Sequence, residues 1–265
     1  MIDTKNKIAC ITGAASGIGQ AMVHRFLSQD MQVIGVDINK DALQATKTTS
    51  EHPDNFHPFE VDIADEDAVN QFANEVRASF GNIDMLCNNA GIGAHKGRIW
   101  DISSDNWHKV FNVNFWGIAN MIRAFVPMML NENKKRYIIN TCSGVAFGTQ
   151  WGQSPYVSSK SAVLSLSELL FHELKKDESA IQVSVLVPTF VQTRDYLTVK
   201  GDAPKKDDVL QADDVVDIML EGIENQQFYI FTHPKGLAKR VQVKMESMIN
   251  MTDPIFSEHL YYKEK

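Results

Sequence analysis

Cysteine is scarce in this chain: Cys10, Cys87 and Cys142 are the three in 265 residues. An odd number, each set in an apolar segment, excludes a disulfide framework and offers no metal-ligand spacing. It reads as buried thiols in a reducing compartment, with the cytoplasm as the expected location. Positive charge is also in deficit. Lys and Arg total 26 against 33 Asp and Glu, a net charge of −7, so nothing favours nucleic acid or an anionic membrane as a partner. No apolar run reaches the ~18 residues expected of a membrane-spanning helix. Met1 to Lys7 are polar and run straight into an apolar stretch, unlike a signal peptide. His95, His172 and His233 are scattered, and no metal site is expected from them. Internal repeats, low-complexity tracts and composition breaks are lacking as well. One domain spanning residues 1–265 is therefore expected.

What is present is a core-forming composition, 44% hydrophobic, arranged in a regular alternation. Short apolar runs at Ile8–Ile11, Gln32–Val36, Ile83–Cys87, Tyr137–Asn140 and Val183–Val187 suit strands buried on both faces, as in a parallel sheet. Phe56 to Val61 is more polar and suits a sheet edge. Helical patterns fill the intervals at Ile18–Ser28, Asp41–Thr49, Asp65–Phe80, Asp105–Asn131, Pro155–Lys176 and Asp213–Asn225. Asp65 before Glu66 and Asp67, and Ser154 before Pro155, are good helix starts. The alternation predicts an α/β doubly wound Rossmann fold, with helices flanking a central, mostly parallel, seven-stranded sheet. Two segments escape it. Residues 194–211 are polar and read as a lid-like insertion. The tail from about residue 235 carries Leu237, Val241, Met245 and Met248 at helical spacing, which predicts a helix packed on its own or a neighbouring subunit.

Two constellations carry chemistry. Thr12 to Gly19, with Gly13, Ser16, Gly17, Ile18 and Gly19, follows the first strand and opens the first helix. Glycines there permit a tight turn and let backbone N–H groups approach a pyrophosphate at the positive end of a helix. Asp37 stands at the tip of the next strand, where a carboxylate can bond the adenosine ribose and repel the 2′-phosphate of NADP. Neither Ala15 nor Ile38 supplies a cation for that phosphate, so NAD is the expected cofactor. The second constellation is Tyr156-Val157-Ser158-Ser159-Lys160, with Ser143 thirteen residues before the tyrosine. A phenol and an ammonium four positions apart share one helix face. The cation favours the phenolate, drawing a group that titrates near ~10 toward working pH, where it can act as a general acid or base.

The wide glycine spacing together with the Tyr-x-x-x-Lys pair resembles the short-chain dehydrogenase/reductase family, in its compact single-domain branch. The likeness runs from Lys7 to about Thr232. The resemblance implies that Asp62, followed by Ile63, contacts the adenine. It implies that Asn89, Ala90 and Gly91 of Asn88-Asn89-Ala90-Gly91 line the cofactor, while Asn88 is more structural. Asn114, Ser143, Tyr156 and Lys160 would form the family's catalytic tetrad. Tyr156, Lys160, Pro188, Val191 and Thr193 would also touch the cofactor. Departures stand at Thr189, where the family has glycine after the proline, and at His233-Pro234 after the seventh strand, where aspartate–glycine is usual.

The implied reaction is hydride transfer between NAD(H) and a small-molecule secondary alcohol or ketone. Tyr156 would exchange the proton, Lys160 would promote its ionisation and bond the nicotinamide ribose, and Ser143 would bond the substrate oxygen. Asn114 would hold a water linking Lys160 to solvent. Trp100, Phe147, Trp151, Phe190 and Tyr196 fall near pocket positions and suggest an apolar or cyclic substrate, although core or interface packing explains such aromatics equally well. An NADPH-dependent carbonyl reductase, a non-catalytic dinucleotide-binding sensor and a sugar-nucleotide epimerase are the competing readings. The two longest helices carry more apolar residues than one sheet-facing side needs, and family analogy implies a homodimer or homotetramer.

Overall fold

The computed structural model describes residues 4–148, 150–192 and 209–254. Seven strands form one sheet: β1 (Ile8–Thr12), β2 (Gln32–Asp37), β3 (Phe56–Glu60), β4 (Met85–Asn88), β5 (Arg136–Thr141), β6 (Ile181–Val187) and β7 (Tyr229–Phe231). Their order is β3-β2-β1-β4-β5-β6-β7 and every pairing is parallel. The central strands are largely apolar because both faces are covered. β3, at the edge, is half-exposed along much of its length, in keeping with its polar sequence.

Helices α1 (Gly17–Leu27) and α7 (Ala212–Glu224) cover one face. Met22, Phe26, Val215 and Met219 fill that layer, and Arg25 pairs with Asp217 across the two helices. On the other face lie α3 (Glu66–Phe80), α5 (Gly117–Leu130) and α6 (Ser154–Lys176), packed through Phe72, Phe125 and Leu170. α2 (Lys40–Thr49) lies against β2 and β3. Asp65 caps α3 through the amides of Asp67 and Ala68, as its sequence position predicts.

Three local differences separate the structure from the sequence expectations. The fourth strand begins at Met85, two residues later than expected: Asp84 still bonds Ile8 and Tyr137 through its backbone, while its side chain takes the Ile8 amide at 3.0 Å. The helix expected over 105–131 is α4 (Ser104–Phe111) and α5 joined by a five-residue π segment, Asn112–Trp116. Such wide turns mark an inserted residue and concentrate at functional positions. The combined helix, Ser104–Leu130, is long and apolar enough to cross a membrane, but here it lies against the sheet, with just over half of its most apolar window buried. The tail forms α8 (Pro234–Ile249), but its buried line is Leu237, Arg240 and Ser247, and Met245 and Met248 face outward. The apolar spacing found Leu237, which is fully buried, but not Arg240, which takes a buried position beside it. Residues 193–208 lie outside the described part, and with them Thr193, Tyr196 and nearly all of the lid-like segment.

β1 and β4 are neighbours, and the chain leaves them toward opposite edges of the sheet. This is the topological switch point, where a crevice opens beyond the carboxyl ends of the strands.

Candidate functional site

Two loops form the crevice. Thr12 ends β1, and its hydroxyl accepts the amides of Asn89 at 2.9 Å and Ala90 at 3.0 Å. The Asn89 side chain returns a bond to the Thr12 carbonyl at 3.2 Å. The glycine loop is thereby fastened to the loop after β4. Gly13 and Gly17 hold φ of +68° and +55°, a region side chains disfavour. Gly19 has a different constraint: a Cβ there would fall 2.1 Å from the Gly13 carbonyl oxygen and 2.7 Å from Asn89 Nδ2. Ser16 stands at the N-cap of α1 with no side-chain cap bond, and Ile18 packs on the core.

Asp37 ends β2 with one carboxylate oxygen accepting the Ala15 amide at 3.2 Å and the other accepting Asn39 at 3.0 Å. The Val61 amide bonds the Asp37 carbonyl, which brings the turn after β3 alongside. Asp62 is exposed there and accepts the Ala64 amide at 2.9 Å. Ile63 is buried: its side chain abuts Gly117, and its carbonyl accepts from Asn120. Asn88 bonds Asn140 across β4 and β5 at 2.9 Å, and Asn140 bonds Ser167, a structural polar bridge through the core.

The second group lies beyond β4 and β5. Asn114, in the π segment, is fully buried and grips one residue twice: Oδ1 accepts the Ile92 amide at 2.8 Å and Nδ2 donates to the Ile92 carbonyl at 3.0 Å. It also bonds Ser159 Oγ at 3.1 Å, one residue before Lys160. Lys160 is buried, and its ammonium donates to the Thr141 carbonyl at 3.0 Å. A Cβ on Gly91 would sit 3.2 Å from Lys160 Nζ and 3.3 Å from Asn114 Oδ1, so the cation lies against the Asn89–Gly91 turn. The same Nζ is 5.8 Å from the centre of the half-buried Tyr156 ring. Burial pulls the Lys160 ammonium below the ordinary lysine range, with neighbouring Cys142 acting weakly the other way. Burial likewise pushes the Cys142 thiol up to about 11, and raises Cys10 and Cys87. All three are buried free thiols, as expected.

Ser143 follows β5 and is nearly buried, its hydroxyl accepting the Val145 amide at 3.4 Å. Pro188, after β6, accepts the Gly144 amide at 2.9 Å. Val191 is buried and bridges Leu210. Among the aromatics, Trp100 and Trp151 are largely exposed, while Phe147 packs edge-on against Phe231 at 5.4 Å. Phe147 therefore serves packing, as one of the two sequence readings held. Sequence reasoning missed the loop-to-loop bridge from Gly97 N to Gly152 O, 3.0 Å, which joins the two segments flanking the cleft. It also missed Arg240, whose Nη1 donates to the Gly144 carbonyl at 3.2 Å. No pattern in the chain announces either contact.

The crevice fits a dinucleotide. Its turn is built on Gly13 and Gly17 at positive φ, it leads into the N-terminus of α1, and a carboxylate stands at the tip of β2. The short chain dehydrogenase family model matches residues 7–200. The chain belongs to the short chain dehydrogenase family. This short chain dehydrogenase is 34% identical over 230 residues to the 1-deoxy-11-beta-hydroxypentalenate dehydrogenase of Streptomyces avermitilis, covering 85% of this chain and 84% of that one. It is 28% identical to the CLA biosynthesis dehydrogenase/reductase of Lactiplantibacillus plantarum, over 89% and 91% of the two chains. A short chain dehydrogenase/reductase from Burkholderia phymatum, solved in complex with NAD, superposes with a TM-score of 0.87 at 32% identity, covering 96% of this chain and 98% of that one. Family membership makes the protein an oxidoreductase acting on CH–OH groups that binds a nicotinamide dinucleotide.

Proposed function

We propose that this short chain dehydrogenase interconverts a secondary alcohol and its ketone, apolar or cyclic in its body, with NAD(H) as cofactor. The observation that carries the proposal is the buried Lys160 ammonium, 5.8 Å from the Tyr156 ring centre and set against Gly91 at the switch point. A nicotinamide dinucleotide bound in this crevice supplies the hydride acceptor or donor. In the oxidation direction Tyr156, as phenolate, takes the alcohol proton, and in reduction it returns one. Lys160 stabilises the phenolate, and its burial strengthens that field by excluding water. Ser143 bonds the substrate oxygen as charge develops on it. Asn114 fixes the Ile92 backbone and Ser159, and so holds the turn against which Lys160 lies. Gly13, Ser16, Gly17, Ile18 and Gly19 form the pyrophosphate cradle. Asp37, Asp62 and Ile63 flank the adenosine end, and Asn89, Ala90, Gly91, Pro188 and Val191 complete the wall.

Support for NAD over NADP comes from the Asp37 carboxylate, already held by the Ala15 and Asn39 amides, which opposes a 2′-phosphate. The NAD-bound Burkholderia phymatum structure is consistent with it. The hydroxylated substrate in the name of the Streptomyces avermitilis relative supports an alcohol of modest size. Exposed Trp116, Leu130 and Leu169 on α5, its preceding π segment and α6 favour a homo-oligomer built through that side.

The test is Tyr156→Phe, assayed by NADH absorbance with a panel of cyclic and aliphatic alcohols. Turnover should vanish while NADH still binds, as followed by its fluorescence. Turnover near wild type in that variant removes Tyr156 from the chemistry. A wild-type protein that prefers NADPH overturns the cofactor assignment.

A further inference from the structure

The turn that carries Ser143 is gripped from the far end of the described chain. Arg240 lies on α8, 8% exposed, and its guanidinium donates to the Gly144 carbonyl at 3.2 Å. That carbonyl shares a peptide unit with the Val145 N–H, which donates to Ser143 Oγ at 3.4 Å. One peptide therefore lies between a buried cation and the hydroxyl placed at the substrate oxygen. The rest of Gly144 is held as firmly. Its amide donates to the Pro188 carbonyl at 2.9 Å. The Thr189 methyl and Leu237 close over it, since a Cβ at Gly144 would fall 2.6 Å from Thr189 Cγ2 and 3.1 Å from Leu237 Cδ2. Thr189 is itself tied to the start of α8, its hydroxyl bonded to the His233 ring and its amide to Thr232 Oγ1 at 3.3 Å. The two departures from the family pattern, Thr189 and His233, thus meet each other and join α8 to the serine turn.

A bond from a guanidinium to a carbonyl is charge-assisted, roughly twice as strong as its neutral counterpart. Electron density drawn toward that carbonyl leaves the N–H of the same peptide a better donor, by about 10–30% per bond. At 3.4 Å the Val145 bond is long and weak for a neutral amide, so the larger effect of Arg240 is to hold the Gly144–Val145 peptide, and Ser143 with it, in place. A serine oxygen that accepts a stronger bond gives up its own proton to an acceptor more readily.

We propose that Arg240 is a positioning residue for the reaction: acting through the Gly144–Val145 peptide, it orients and polarises Ser143 toward the substrate oxygen. This rests on the reading of Ser143 under Proposed function. The experiment compares R240M, R240Q and R240K with wild type in kcat, KM, NADH affinity and thermal midpoint. R240M, without charge or donor, should lose about tenfold in kcat with KM and NADH affinity within about twofold. R240K, which keeps a cation, should recover most of that loss. In a Ser143→Ala background R240M should change kcat by less than about twofold, because the group it acts through is gone. A folded R240M or R240Q with wild-type kcat overturns the proposal, as does equal impairment of R240M and R240K, or a full additional loss in the Ser143→Ala background. Wild-type turnover in Ser143→Ala alone sinks the catalytic reading of the site instead, so the two failures are told apart.

Discussion

Replacing Lys160 by Met tests the electrostatics of the site most directly. The ammonium is buried, bonded to the Thr141 carbonyl at 3.0 Å and 5.8 Å from the Tyr156 ring centre. With an effective dielectric constant of ~20, a unit charge at that separation favours the phenolate by about 3 kcal/mol, a factor of roughly a hundred in its population. K160M should therefore lower kcat/KM for alcohol oxidation by about a hundredfold near neutral pH. The deficit should shrink as pH rises toward the ordinary tyrosine range, because solvent then ionises the phenol without help. Stability should move differently. Burial depresses the folded-state pKa of Lys160 below its ordinary 10.5, so the folded protein holds that proton less tightly than the unfolded chain. Wild-type stability then rises with pH between the depressed value and 10.5, and the burden is heaviest below that window. Met removes the buried cation and also leaves the Thr141 carbonyl without this donor, two effects of opposite sign and each about 1–3 kcal/mol. The thermal midpoint of K160M relative to wild type should be most favourable at neutral pH and decline toward pH 10.5. Steady-state kinetics from neutral to alkaline pH, with thermal melts in the same buffers, check both. A K160M protein with kcat/KM within threefold of wild type, or a loss that stays constant across pH, would refute the reasoning.

Asp37→Ala removes the carboxylate that opposes a 2′-phosphate and that holds Ala15 and Asn39, so the NADP-to-NAD ratio of kcat/KM should rise by about tenfold or more. An unchanged ratio would show that discrimination resides elsewhere. Gly19→Ala would drive a Cβ to 2.1 Å from the Gly13 carbonyl, and should weaken NADH binding at least tenfold and lower stability by about 1–3 kcal/mol. Gly81→Ala, at φ +76° with nothing within 4 Å of the added carbon, should lower stability by about 1–2 kcal/mol and leave NADH affinity unchanged. Equal NADH affinities for the two variants would remove the cradle argument.

How far the chain could be read depended on how local each signal is. Parallel strands buried on both faces show as largely apolar runs, and the six strands placed from the sequence lie within about two residues of their ends. The glycine cradle and the Tyr156–Lys160 pair were legible because a turn, or one helical turn, sets the whole geometry. Asn114 was legible only as a family likeness. Its pair of hydrogen bonds to Ile92 depends on a π segment that no periodicity announces. The tail helix was legible, but not its buried polar side: Arg240 reads as polar and outward-facing, yet it is buried and bonds the Gly144 carbonyl 96 positions earlier.

By itself, then, the order of residues determined the strand–helix alternation, the glycine turn after β1 and the spacing of Tyr156 and Lys160, since these follow from contacts a few positions apart. Tertiary structure alone decided which distant groups meet. Thr12 clasps Asn89, Lys160 settles beside Gly91, and α8 returns to hold the serine turn through Arg240, Thr189 and His233. These contacts join segments tens to about a hundred residues apart, and chain closure over such lengths is governed by packing of the whole sheet and its two helical layers, not by any local preference.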